Sequence, residues 1–139
     1  MGALDPEVLA LARGANLASL TTLLPSGAPV AGVVWVDADA GGDRILVNTE
    51  VHRLKYRNVC RDPRVHVLIV DAEDTGHFAS VQGRVEDRIL GPDAREHIER
   101  LAHKYTGAPF DDRRIVSERA VLSVRPLSQR VRQSSVLME

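Results

Sequence analysis

The chain has 139 residues, 44% of them hydrophobic, which suits one domain, residues 1–139, built on a single core. Its 18 Lys and Arg against 19 Asp and Glu leave a formal net charge of −1, so no global positive field points to nucleic acid. A single cysteine, Cys60, excludes an internal disulfide and a metal site built on cysteines alone, in keeping with a cytoplasmic protein, and is expected as a small core residue.

In chain order, a short helix is expected from about Asp5, with Pro6 in its first turn, Leu9, Leu11 and Ala12 as contacts and Gly14 as its stop. Asp5, Glu7 and Arg13 argue against a signal peptide in this segment, and no run is long enough to span a membrane. Leu17 to Leu24 reads as a strand, Pro25-Ser26-Gly27 as a hairpin turn, and Val30 to Val36 as a second strand opened by Pro29. A turn over residues 37–43 leads to a third strand, Arg44 to Thr49, and the two hairpins imply an antiparallel meander.

A short basic helix follows and is broken at Asp62-Pro63. Val65 to Val70 then reads as a largely buried strand, and Phe78 to Asp87 alternates as a half-buried one. Ala94, Ile98, Leu101, Ala102 and Tyr105 recur at helical spacing between Gly91-Pro92 and Gly107. A turn around Asp111 to Val116 precedes the last strand, Ala120 to Val124, which Pro126 should end. Six hairpin-connected strands with short helices predict a mainly β protein, a six-stranded antiparallel split β-barrel.

Chemistry concentrates where the third strand turns into the basic helix. Unpaired N–H groups of a helix's first turn favour anions, and His52, Arg53 and Lys55 stand beside them. Lys55 is one of only two lysines and projects with Val51, Leu54 and Asn58 toward the rest of the protein. Arg53, Arg57 and Arg61 fall at i, i+4 and i+8, a stripe that suits a solvated face. Lys55 and Asn58, helped by Arg53 at the helix start, are therefore the candidate phosphate grip, with Arg57 and Arg61 left on the surface. The five histidines form no i, i+4 pair, so no metal site is expected, and neither a Gly-x-Ser-x-Gly segment nor an activating partner for Cys60 supports nucleophilic catalysis.

This order of parts resembles the pyridoxamine phosphate oxidase-like split β-barrel superfamily. The resemblance is carried by Leu17-Ala18-Ser19-Leu20-Thr21-Thr22, by Ser26-Gly27-Ala28-Pro29, and by Trp35 in the second strand. Arg53-Leu54-Lys55-Tyr56-Arg57-Asn58, Arg61-Asp62-Pro63-Arg64-Val65 and Gln82-Gly83-Arg84-Val85 complete it. Within that superfamily the chain looks like the small deazaflavin-dependent group that uses coenzyme F420. The resemblance implies a cytoplasmic homodimer with cofactor sites at the subunit interface. It implies a phosphate end held near Arg53, Lys55 and Asn58 and a ring system along Val33, Val34, Trp35, Val47, Asn48 and Thr49. The partner subunit should contribute from the strand start at His77-Phe78 and from the tail after Arg125.

Hydride transfer to an unsaturated or heteroaromatic small molecule is the implied reaction. The alternatives are an FMN-dependent oxidase or reductase on the same barrel and a non-catalytic protein that binds flavin, deazaflavin or haem. The fuller flavin oxidases carry longer chains and a C-terminal basic and aromatic motif, whereas this tail reads Gln129-Arg130-Val131-Arg132-Gln133-Ser134-Ser135.

Overall fold

A computed structural model describes residues 2–133. The described chain is a seven-stranded antiparallel sheet in the order β2-β1-β5-β6-β7-β4-β3, with three α-helices. The strands are β1 (Leu17–Leu23), β2 (Pro29–Val34), β3 (Val36–Ala38), β4 (Ile45–Glu50), β5 (Arg64–Val70), β6 (Phe78–Leu90) and β7 (Arg119–Arg132). The helices are α1 (Pro6–Arg13), α2 (Leu54–Arg61) and α3 (Pro92–Thr106), and none is long and apolar enough to cross a membrane.

The expected second strand is two strands, broken at Trp35, and the break explains how the barrel closes. β2 pairs with β1 at one edge of the sheet, and β3 pairs with β4 at the other. One run of chain thus joins the two edges of the sheet. Helix α3 fills the discontinuity: the Val36 N–H donates to the Tyr105 hydroxyl at 3.2 Å, and the Val36 carbonyl accepts from Lys104 Nζ. Tyr105 Oη donates to the Asn16 carbonyl at 2.8 Å, and its ring stacks on Trp35 at 5.2 Å between centroids and 7° between planes. Backbone groups that a ladder would have satisfied are satisfied by side chains instead.

Alternation places the core inside the barrel. Leu20, Ile45, Val47, Val67, Ile69, Val81, Leu122 and Val124 are all essentially inaccessible to solvent. β5, expected to be largely buried, buries only Val65, Val67 and Ile69, with His66, Leu68 and Val70 half-exposed on the outer side. Helix α1 packs against β3, β5, β6 and β7 through Val8, Leu11 and Ala12, so it stops one end of the barrel. Val8 takes the buried place expected of Leu9, which is only partly covered.

β6 and β7 are longer than expected and pair with each other along most of their length. β7 does not end at Pro126. A register shift between Gln82 and Gly83 places Gly83 opposite Pro126, so the ring that cannot donate sits at an irregularity where no ladder bond is required. Gly83 is required for the same crossing, because a Cβ there would lie 2.6 Å from Val124 Cγ1 and 2.7 Å from the Arg125 carbonyl oxygen. The tail expected to complete a partner's site is strand as far as Arg132, and Ser134 to Glu139 lie outside the described residues. His77, at the other expected partner contribution, is held within its own chain by Asp71 at 3.0 Å and Glu7 at 3.2 Å.

Candidate functional site

β4 runs out at Glu50, the Arg53 N–H donates back to the Glu50 carbonyl at 3.0 Å, and α2 begins at Leu54. No side chain caps α2, so its first-turn N–H groups stay available to solvent or to an anion. Only Asn58 and Val59 of this helix are buried. Asn58 is wholly buried, donates to Thr22 Oγ1 at 3.0 Å and accepts from Arg61 at 3.2 Å. Cys60 is exposed rather than in the core, since the narrow apolar face of α2 is filled by its neighbour Val59.

Two clefts meet at the start of α2. One, of about 230 Å³, is lined by Val33, Val34 and Trp35 at the end of β2, by Asn48, Thr49 and Glu50 of β4, and by Arg53 and Lys55. Its far wall is Ile98 and Leu101 of α3 with Phe110, Arg114 and Arg119. The other, of about 400 Å³, lies between β1, β2 and α2 and is lined by Leu20, Thr22, residues 30–32, His52, Arg53, Leu54 and Lys55. Arg53 and Lys55 border both. Val33, Val34, Trp35, Asn48, Thr49, Arg53 and Lys55 are thus brought together around the first cleft, and His52 borders the second. Asn58 lines neither, being taken up by Thr22 and Arg61, and Val47 is in the core.

The charge around the first cleft is unbalanced, with four cationic side chains facing one carboxylate. Burial raises the Glu50 carboxyl, but the N–H groups of Ser117 and Val116 and the charge of Arg119 together bring its pKa below the ordinary value. Glu50 Oε1 accepts from Val116 N at 2.8 Å and Ser117 N at 2.6 Å, while Oε2 accepts from Arg119 at 3.0 Å. Arg119 also donates to Asn48 Oδ1 at 2.8 Å. Burial pulls the Arg119 pKa down more than Glu50 raises it, yet a guanidinium stays charged. Among the described residues the side chains of Arg53, Lys55 and Arg114 have no hydrogen-bond or ion-pair partner. Burial first, then the charges of Arg53 and Arg119, push the Lys55 ammonium below its usual pKa. A lysine held among arginines without a counter-charge is a place for an anion.

Thr49 supplies a second vacancy for hydrogen bonding. Its hydroxyl is buried, borders the first cleft and has no partner among the described residues. Asn48, by contrast, is fully committed: its amide donates to the Ala94 carbonyl at 2.9 Å and meets His97 Nδ1 at 3.0 Å. That contact places His97 in the neutral state, and burial pushes its pKa down to about 4. The unfolded chain takes up this proton near pH 6.5, the folded chain only near pH 4, so the contribution of neutral His97 is complete above about pH 6.5 and is lost as pH falls toward 4. The His97 ring resonances are therefore expected to titrate with a midpoint near pH 4. The urea midpoint of the wild-type chain should fall between pH 7 and 5, and a midpoint near 6.5 for the His97 resonances would contradict its burial.

Glu50, Arg119, Phe110, Arg114, Ile98 and Leu101 were not foreseen as site residues. Ile98 and Leu101 were legible only as the apolar stripe of α3. Glu50 and Arg119 lie opposite each other in the β4–β7 ladder, a register that spacing does not reveal. Phe110 and Arg114 belong to the connection after Gly107, which was read only as a turn around Asp111 to Val116.

The family described as pyridoxamine 5'-phosphate oxidase matches this chain over residues 4–133. A solved F420 reductase is 24% identical, with a TM-score of 0.78 over 91% of this chain and 98% of its own. A conserved hypothetical protein from Mycobacterium tuberculosis is 22% identical, with a TM-score of 0.75 over 94% and 84% of the two chains. A candidate pyridoxamine 5'-phosphate oxidase from Listeria innocua is 20% identical, with a TM-score of 0.64 over 91% and 98%. At such identities the likeness to these structures is one of fold.

Proposed function

The chain belongs to the pyridoxamine 5'-phosphate oxidase family, and from that premise we propose that it is an oxidoreductase holding coenzyme F420 in the joined clefts and reducing an unsaturated or heteroaromatic small molecule. The observation that carries this reading is the pair of unpartnered cations, Arg53 and Lys55, at the uncapped start of α2 where the two clefts meet. Fixed donors and positive charge are what a phosphate group requires. The choice of a deazaflavin is supported by the likeness to a solved F420 reductase.

The residues fit such a group at both ends. Arg53 and Lys55, with His52 beside them, would hold phosphate; the free Thr49 hydroxyl would meet a polar edge of the ring system. Trp35, braced by Tyr105, gives a stiff apolar wall, and Val34, Ile98 and Leu101 exclude water from it. Glu50 accepts four hydrogen bonds and is held ionised, so it positions Arg119 and the Val116–Ser117 backbone rather than giving up a proton. The hydride chemistry is the cofactor's own. Exposed Val33, Leu54 and Val116 near the cleft mouths support a second copy of the chain as the cover, which would make the site an interface in a homodimer.

Titration of the purified protein with F420 and with FMN, followed by fluorescence, tests the proposal. F420 is expected to bind at least about tenfold more tightly than FMN. Preference for FMN would move the chain to the other flavin chemistry, and binding of neither would overturn the reading.

A further inference from the structure

The connection between α3 and β7 carries a cation that the phosphate grip does not account for. In this segment Asp111 pairs with Arg113 at 3.0 Å and caps the turn through the Arg113 N–H, while Asp112 pairs with Arg95 of α3. Both acids are thereby engaged, and the Arg114 side chain makes no ion pair or hydrogen bond among the described residues, although its charge reaches Asp111 and helps hold that carboxyl below its usual pKa. It is not loose, however. Its guanidinium lies over the Phe110 ring at 5.7 Å, and Phe110 also packs on the guanidinium of Arg119 at 5.3 Å. Arg119 in turn is fixed by Glu50 and Asn48. These contacts place an exposed guanidinium at the wall of the first cleft, on a different element from Arg53 and Lys55.

We propose that Arg114 is the group that recognises a carboxylate on the substrate, so that the substrate is a small planar acid. A single guanidinium offers two parallel donors that match one carboxylate, whereas the cofactor's phosphate is already matched by Arg53, Lys55 and the start of α2. The cofactor ring that Trp35 backs would itself present the flat face for the planar part of the molecule. This inference rests on the cofactor reading above for where the phosphate end lies.

The test compares trans-cinnamate with trans-cinnamamide, binding being measured by titration calorimetry on the wild-type protein, Arg114→Gln and Arg114→Lys, each saturated with whichever of F420 or FMN it binds. Wild type is expected to prefer the acid by about tenfold or more, and Arg114→Gln to lose that preference. Arg114→Lys should recover only part of it, because the charge is kept and the fork is not. The dissociation constant of the cofactor should change less than about twofold in Arg114→Gln. Absence of a preference in wild type, or its survival in Arg114→Gln, overturns the inference, as does a loss of cofactor affinity matching the loss for the acid. If neither cofactor binds, the proposed function fails, and the same comparison on the protein alone still decides the role of Arg114.

Discussion

Lys55→Ala is expected to raise the F420 dissociation constant about 10- to 100-fold while leaving the fold intact. The magnitude follows from removing a charge-assisted hydrogen bond to phosphate in a partly buried setting, where screening is weaker than at the surface. Stability should not suffer, because Lys55 has no partner among the described residues and its charge is disfavoured by burial and by Arg53 and Arg119. Deleting it relieves that penalty, so the thermal midpoint should hold or rise slightly. Lys55→Arg should retain most of the binding, and rising salt should weaken the wild type more than the alanine variant. Unchanged affinity in Lys55→Ala, read by fluorescence titration, would remove the phosphate grip from the site. A large drop in thermal midpoint would instead give Lys55 a structural role.

Glu50→Ala is expected to cost about 3 kcal/mol of folding stability, at the lower end for a broken buried ion pair because the cleft admits some water. Glu50 is 5% exposed and Arg119 9% exposed, so losing the carboxylate leaves a buried guanidinium with only Asn48 and orphans the N–H groups of Val116 and Ser117. The exposed Asp111–Arg113 pair should contribute little, because solvent screens it. Urea denaturation at pH 7 separates the two cases, and a loss below about 1 kcal/mol for Glu50→Ala would mean that the pair does not anchor the segment after Phe110. The pH dependence has a definite sign. The folded-state pKa of Glu50 is lowered, so its contribution is complete above the unfolded carboxylate value near 4.3 and is lost as pH falls through the lower folded value. Glu50→Gln should remove that part of the acid sensitivity while keeping some of the hydrogen bonds.

Much of the candidate cleft was legible because the half of it around Arg53 and Lys55 is local in sequence. A strand ending in Asn48 and Thr49, a turn and a helix starting beside Arg53 and Lys55 lie within one short stretch, and strand alternation with helix periodicity is enough to bring them side by side. Asn58 was read as a ligand because its helical position faces inward. Inward on α2 means toward Thr22, which lies outside the first cleft on the barrel wall, and only the packing of α2 against β1 reveals that. Cys60 shows the converse: a residue type that favours burial lies exposed because a short helix has room for only a narrow buried face.

From the residues alone came the antiparallel barrel class, the order of its elements and the placement of cations at the end of β4, all of which depend on interactions between near neighbours in the chain. The tertiary structure decided what depends on distant ones. Trp35 interrupts a strand because Tyr105, far along the chain, accepts the hydrogen bond that a ladder would have taken. Glu50 meets Arg119 across 69 positions because β4 lies beside β7. Arg114 reaches the same cleft from the connection after α3, where its guanidinium lies over Phe110. Each of these arises from sheet register and barrel closure, which bring residues together irrespective of their spacing, and no local periodicity encodes such meetings.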